Sequence, residues 1–291
     1  MRLLWTGVLV GMVVVLVMNV RAFHENSLAL TRSFYGSLRV VQSPHAGERQ
    51  TRTLFHGTIE HGAQFLAPTL RKQATTYYGP ESGIGIVLRE CFPKRKRVGI
   101  VGLGVGTIAA YGMPGDAFQF YEINQQVIDI AQSLFFYLRE SAASVDLTLG
   151  DARFSLQRDK RMFDVLVLDA FSGDAIPVHL LTREAMAIYS RHLAPGGVIA
   201  FHVSNDYLDL PKVVAALAEN AGYGFALVRN HGDDDRLILP ADWVVVTRNS
   251  SVLENASLKV HSQALPAHTG NRLWTDNYND LLGILRTPQF R

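Results

Sequence analysis

Between Arg97 and Glu122 the sequence reads as a strand, a glycine turn and a second strand, and this unit restricts the architecture more than any other feature. The run RVGIVGL is apolar without alternation, the pattern of a strand covered on both faces, and Gly102-Leu103-Gly104-Val105-Gly106-Thr107 overlaps its end. Glycines there let the backbone turn tightly and approach a ligand, and the helical start expected at Thr107 offers free amide donors. Glu122 lies twenty residues beyond Gly102 at the tip of the second strand, FQFYEI, where a carboxylate can accept both hydroxyls of a ribose. With no Gly-x-x-Gly continuation, the spacing fits a nucleoside better than a dinucleotide pyrophosphate.

The same grammar continues downstream. Gln125 to Leu138 has helical spacing, VDLTLGD reads as a third strand and FDVLVLDAF as a fourth. Helical TREAMAIYSRHL, the turn Pro195-Gly196-Gly197, a fifth strand VIAFHVS and a helix LPKVVAALAENAG ending at Gly222 follow, and YGFALVR and DWVVVTR close the sheet. Strands separated by helix-length crossovers predict a doubly wound, mostly parallel α/β sheet. Upstream, from Ser37 to about Gln64, SLRVVQ, TRTLFHG and TIEHGAQF alternate and are split by Pro44-His45-Ala46-Gly47 and Gly57. They predict the antiparallel strands of a small β-domain. The expected division is 1–22, a hydrophobic helix; 23–80, the β-domain; and 81–291, the Rossmann-like domain.

Leu3 to Val20 is an uncharged run of eighteen residues, long enough to cross a ~30 Å hydrocarbon layer as a tilted helix. A cleaved signal peptide competes with this, Val20-Arg21-Ala22 being a passable cleavage site, as does a buried core helix. The run is long for a signal core, and Arg21, Arg32 and Arg39 follow it. The expectation is therefore a membrane anchor with the catalytic part on the cytoplasmic side. A net charge of +2 over 291 residues is too small for a reader of phosphate backbones, and Lys94-Arg95-Lys96-Arg97 reads as a solvated strand entrance. The single cysteine, Cys91, excludes an internal disulfide framework and any multi-cysteine metal site.

The chemistry gathers at strand ends. Asp151, followed by Ala152, ends the third strand, where its carboxylate can accept from an adenine amino group or cap the next helix. Asp169 closes the very apolar fourth strand and faces the same crevice, partly desolvated, placed to hold an ammonium or take a proton from an attacking amine. Asp174, on the loop beyond, can add a second anionic contact or shape the turn. His202 and Asn205 read first as polar strand-end residues. His56, Glu60 and His61 lack the separation of a helical metal pair. Asp233-Asp234-Asp235 reads as an exposed loop, and Asp276 is a candidate for the acceptor side.

From about Tyr35 to Leu285 the sequence resembles the spermidine synthase family, especially its membrane-associated bacterial branch. The resemblance is carried by GLGVGT, Tyr121-Glu122-Ile123-Asn124, Gly150-Asp151-Ala152, LDAFSGDAIP, Gly57 and Tyr77-Tyr78-Gly79-Pro80. It implies a seven-stranded methyltransferase-like sheet behind the β-domain. It also implies a donor held by Gly102, Gly104, Gly106, Glu122 on the ribose, and Asp151 and Ala152 at the adenine. Asp169 is the implied base or amine holder, with Tyr78, Glu60 and Asp174 as substrate contacts. The expected activity is aminopropyl transfer from decarboxylated S-adenosylmethionine to a small polyamine such as putrescine, without a metal and without nucleic acid, with a homodimer compatible. Methyl transfer from S-adenosylmethionine and a catalytically silent nucleoside- or polyamine-binding protein are the alternatives. The family's glycine-loop aspartate is replaced by Val105, and its short Asp-x-x-Asp-Pro loop is replaced by one that puts Asp174 five residues after Asp169.

Overall fold

The computed structural model describes residues 2–24, 27–44, 47–170, 177–265 and 273–286. Asp174 lies outside the described residues. A 23-residue helix, α1 (Arg2–His24), opens the chain, and its described apolar side chains, Trp5 and Leu16 among them, are exposed. Among the described residues no helix is long and apolar enough to cross a membrane, so the expected transmembrane span has no support there.

Alternating sequence then gives four strands, β1 (Ser27–Ser33), β2 (Gly36–Gln42), β3 (Thr51–His56) and β4 (Ile59–Phe65), paired antiparallel in chain order. The last three correspond to the three expected runs. β1 is an added edge strand whose Leu28 and Leu30 stay exposed, so no buried face announces it. The buried single turn α2 (Gly83–Ile86) leads to the second sheet.

That sheet comprises β5 (Arg97–Val101), β6 (Ala117–Glu122), β7 (Ser144–Leu149), β8 (Phe163–Leu168), β9 (Leu193–His202), β10 (Gly224–Asn230), β11 (Ala241–Thr247) and β12 (Ser262–Gln263). The order is β12-β10-β11-β9-β8-β5-β6-β7. The five strands from β9 to β7 are parallel, and β11 runs antiparallel to β9 and β10. The two-residue β12 makes eight strands where the resemblance implies seven. The chain leaves β5 for β6 on one side and returns to β8 on the other, so the carboxyl ends of β5 and β8 bound the crevice of a topological switch point.

The unbroken apolar runs are explained by two cores. Val165 and Val167 of β8 pack with Leu38, Val40 and Leu54 of the small sheet on one face, while Leu166 and Leu168 pack under the crossover helices on the other. Those helices include α4 (Ala152–Arg158), α5 (Arg183–Arg191) and α6 (Leu210–Asn220), whereas α3 (Gln125–Leu134) packs Val127, Ile128, Ile130 and Ala131 with the first face. Thr182 caps α5 by accepting from the amide of Ala185, and Gly222, at φ 71°, ends α6.

Four local expectations change. The helical start at Thr107 is a five-residue 3-10 turn, Thr107–Tyr111, so there is no α-helix N-terminus at the glycine loop. α3 stops at Leu134, where Phe135 becomes extended. Pro195-Gly196-Gly197 is an irregularity inside β9, which shifts register between its pairings with Phe163 and Val165. Lys96 is no solvated residue: at 2% exposure its Nζ lies 2.6 Å from Asp116 Oδ2.

Candidate active site

The glycine loop must be glycine for steric reasons. A Cβ on Gly102, at φ 96°, would overlap the carbonyl oxygen of Asp169, and one on Gly104, at φ 55°, would fall 2.8 Å from that of His61. The loop is thus wedged between the end of β8 and β4. Glu122, at the end of β6, accepts the Leu103 amide on Oε2 at 3.0 Å and the Asn124 amide on Oε1 at 2.8 Å. Burial raises its pKa, and these amide hydrogen bonds oppose the rise. Asp151 caps α4 through the Phe154 amide at 2.9 Å, and its other oxygen meets His179 Nε2 at 3.0 Å.

Gly102, Gly104, Glu122, Asp151, Ala152 and Asp169 line one cavity of about 320 Å³. Gly106 does not line it; a Cβ there would meet Leu138. Val105 is also turned away, 1% exposed and packed against Gly62, where a Cβ would come within 2.5 Å of it. The position of the family's aspartate is here part of the core.

A second cavity of about 490 Å³ adjoins the first, and His61, Tyr77 and Asp169 line both. Glu60 lines the second and not the first, so the structure does not set it over the glycine loop; burial raises its pKa. Tyr78 lines neither. It stands behind Asp169 and donates its hydroxyl to Oδ2, while Tyr77, its neighbour, reaches the cavity walls. Burial, with Asp169 nearby, raises the Tyr78 pKa far above the ordinary phenol range, so the hydroxyl keeps its proton and donates.

Asp169 Oδ1 lies 2.8 Å from His202 Nδ1. Burial pushes the carboxyl of Asp169 up, but the neighbouring His202 and the hydrogen bonds from His202 and Tyr78 outweigh it and hold the pKa below the usual range. His202 is stacked between Tyr77, at 4.4 Å and 18°, and Trp243, at 4.9 Å and 26°. Its Nε2 lies 2.8 Å from Ser204 Oγ. Burial lowers the His61 pKa to about 4.

Other candidates have different work. Asn205 closes a turn by accepting the amides of Tyr207 and Leu208 while also lining the second cavity. Asp276 is held by Arg153, at 2.7 and 2.5 Å, and by Thr182, and it lines neither cavity. Asp235 pairs with Arg49 on the surface. Sequence reasoning underrated His202, a strand-end residue at the same rim as Asp169. It offered no signal for Tyr77 over Tyr78, for Ser204 or for Trp243, whose places depend on packing.

The chain is 33% identical over 113 residues to a polyamine aminopropyltransferase of Vibrio vulnificus, a match that covers 37% of each chain. It is 30% identical over 100 residues to a polyamine aminopropyltransferase of Nitrosomonas europaea, covering 33% of this chain and 31% of the relative. The matches thus span about a third of these relatives' length. No protein-family profile matches. Among solved structures, spermidine synthase from Thermotoga maritima superposes with a TM-score of 0.57 at 15% identity, covering 83% of this chain and 85% of that one. A spermidine synthase in complex with the transition state analogue AdoDATO superposes with a TM-score of 0.56, also at 15% identity, with the same coverage. The fold is that of the spermidine synthases, and the resemblance to that family is borne out by both comparisons, neither of which speaks to its membrane-associated branch.

Proposed function

We propose, from this shared fold and sequence, that the chain is a polyamine aminopropyltransferase that moves an aminopropyl group from decarboxylated S-adenosylmethionine to an amine such as putrescine. The observation that carries the proposal is the charge of the two joined cavities. The first is lined by Glu122, Asp151 and Asp169 and the second by Glu60, Asp169 and Asp206; neither has a lysine or arginine among its described lining residues. A sulfonium donor bearing an amine, and an amine acceptor, suit such a lining. A donor that keeps its carboxylate would meet like charge with no cation to pair with it.

In this reading the nucleoside occupies the first cavity, with Glu122 at the ribose and Asp151 and Ala152 at the adenine. The acceptor enters through the second. The positive sulfonium already activates the carbon beside it, so the protein has to orient the two substrates, exclude water and manage one proton. Asp169, at the wall between the cavities, holds its negative charge where the two substrates meet. A spermidine synthase of this fold binds AdoDATO, which supports placing the donor here. The exposed apolar side chains of α1 support a lipid-associated enzyme, to be checked by vesicle flotation with and without residues 1–22.

The deciding experiment supplies labelled donors and a panel of amines. Release of methylthioadenosine that depends on putrescine is expected. Release of S-adenosylhomocysteine from intact S-adenosylmethionine would make methyl transfer the function, and tight donor binding without either product would make the chain a silent binder.

A further inference from the structure

Three side chains form a hydrogen-bonded line that ends at the wall of the second cavity, and the direction of each bond follows from its chemistry. Asp169 is an ionised carboxylate and can only accept, so His202 donates to it through Nδ1, 2.8 Å away. When the imidazole carries a single proton, on Nδ1, its Nε2 is an acceptor, and the Ser204 hydroxyl, 2.8 Å away, donates to that nitrogen. Ser204 Oγ also accepts the amide of Asp242 at 2.8 Å, which fixes the hydroxyl and leaves one lone pair free of these two bonds. Tyr77 and Trp243 clamp the imidazole on both faces, so the ring is held in this orientation. Ser204, His202 and Asp169 all line the second cavity.

We propose that Ser204 and His202 are the proton path of the transfer, with Asp169 as the group that orients and stabilises His202 instead of acting as the base itself. This rests on the aminopropyl-transfer reading above. The acceptor amine donates an N–H to Ser204 Oγ and directs its lone pair at the donor carbon attached to sulfur. The N–C bond forms, the C–S bond breaks, and its electron pair returns to sulfur, which leaves as an uncharged thioether. The proton shed by the nitrogen passes to Ser204 Oγ as the serine's own proton passes to His202 Nε2. The imidazolium then sits against the Asp169 carboxylate until it returns the proton to solvent through the same cavity. The arrangement follows the general logic of a histidine base held by a buried aspartate. Ionisable groups around the imidazole include Asp169 and Tyr77, with Glu60, His61, Asp206 and Tyr207 elsewhere on the cavity wall.

The test uses the full chain with decarboxylated S-adenosylmethionine and putrescine, following methylthioadenosine, with donor affinity read separately by calorimetry. His202→Gln keeps a hydrogen bond to Asp169 and cannot take a proton; its kcat is expected to fall about 10²–10³-fold. Ser204→Ala is expected to fall roughly 10–100-fold, and Ser204→Thr, which keeps the hydroxyl, to recover most of that loss. Donor affinity stays within about threefold in all three, and the solvent deuterium isotope effect on kcat shrinks in Ser204→Ala because one of two moving protons is gone. If the wild type is active and both His202→Gln and Ser204→Ala stay within about threefold of it, the relay is wrong while the aminopropyl-transfer reading stands. A wild type that releases no methylthioadenosine overturns that reading, and the relay with it. Should His202→Gln lose donor binding, the serine pair of variants decides alone.

Discussion

Two buried pairs of an acidic and a basic side chain stand at opposite ends of the same parallel sheet, and they differ in one respect that separates structure from chemistry. Lys96 and Asp116 precede β5 and β6; the side chains are 1% and 0% exposed, and Asp116 also accepts the amides of Lys96 and Met113. That carboxylate is saturated by the protein, and neither residue lines a described cavity. Asp169 and His202 follow the carboxyl ends of β8 and β9; they are 7% and 8% exposed and border open space. Burial is nearly the same, so burial alone does not mark a site. What differs is whether the protein leaves room for a ligand beside the charge, and in open α/β sheets that room lies past the carboxyl ends of the strands.

Mutating one member of each pair should break the comparison if it is wrong. Asp116→Ala strands an ammonium in the core and is expected to cost about 3–5 kcal/mol in urea unfolding, while kcat per folded molecule is unchanged. Asp169→Asn should do the reverse, lowering transfer about 10²–10³-fold with a stability change within about 1.5 kcal/mol. Similar stability losses in both would remove the distinction.

His61 sharpens it through pH. Its folded pKa of about 4 lies below the unfolded value of ~6.5, so on acidification the unfolded chain takes up the proton first. Stability should therefore be complete above ~6.5 and fall by about 3 kcal/mol as the pH drops toward 4, a slope that His61→Phe should flatten in unfolding titrations at several pH values. A smaller effect is expected at Glu122, whose oxygens already hold two amides. Glu122→Gln should weaken donor binding roughly tenfold, about 1.4 kcal/mol, by calorimetry. An unchanged affinity would leave Glu122 as a brace for the glycine loop only.

Much of the first cavity was legible in the sequence because it is built from local rules. Gly102, Glu122, Asp151 and Asp169 each end or closely follow a parallel strand, and parallel strands carry such ends to one rim. Gly106 broke the expectation: a 3-10 turn, not an α-helix, follows it, and a Cβ there would meet Leu138 in the packing. The second cavity was nearly illegible. Tyr77 and Tyr78 are adjacent and identical in type, and only the fold shows that the first lines the cavities while the second braces Asp169 across 91 residues.

The sequence by itself determined the alternation of strands and helices, the glycine turn and the acids at strand ends, since periodicity and backbone sterics act over a few residues. The tertiary structure alone decided that Asp169 meets His202, that Trp243 and Tyr77 clamp the imidazole, and that Lys96 turns inward to Asp116. These are meetings of distant segments, fixed by strand order and by the requirement that a buried charge find a partner, and no local pattern encodes them.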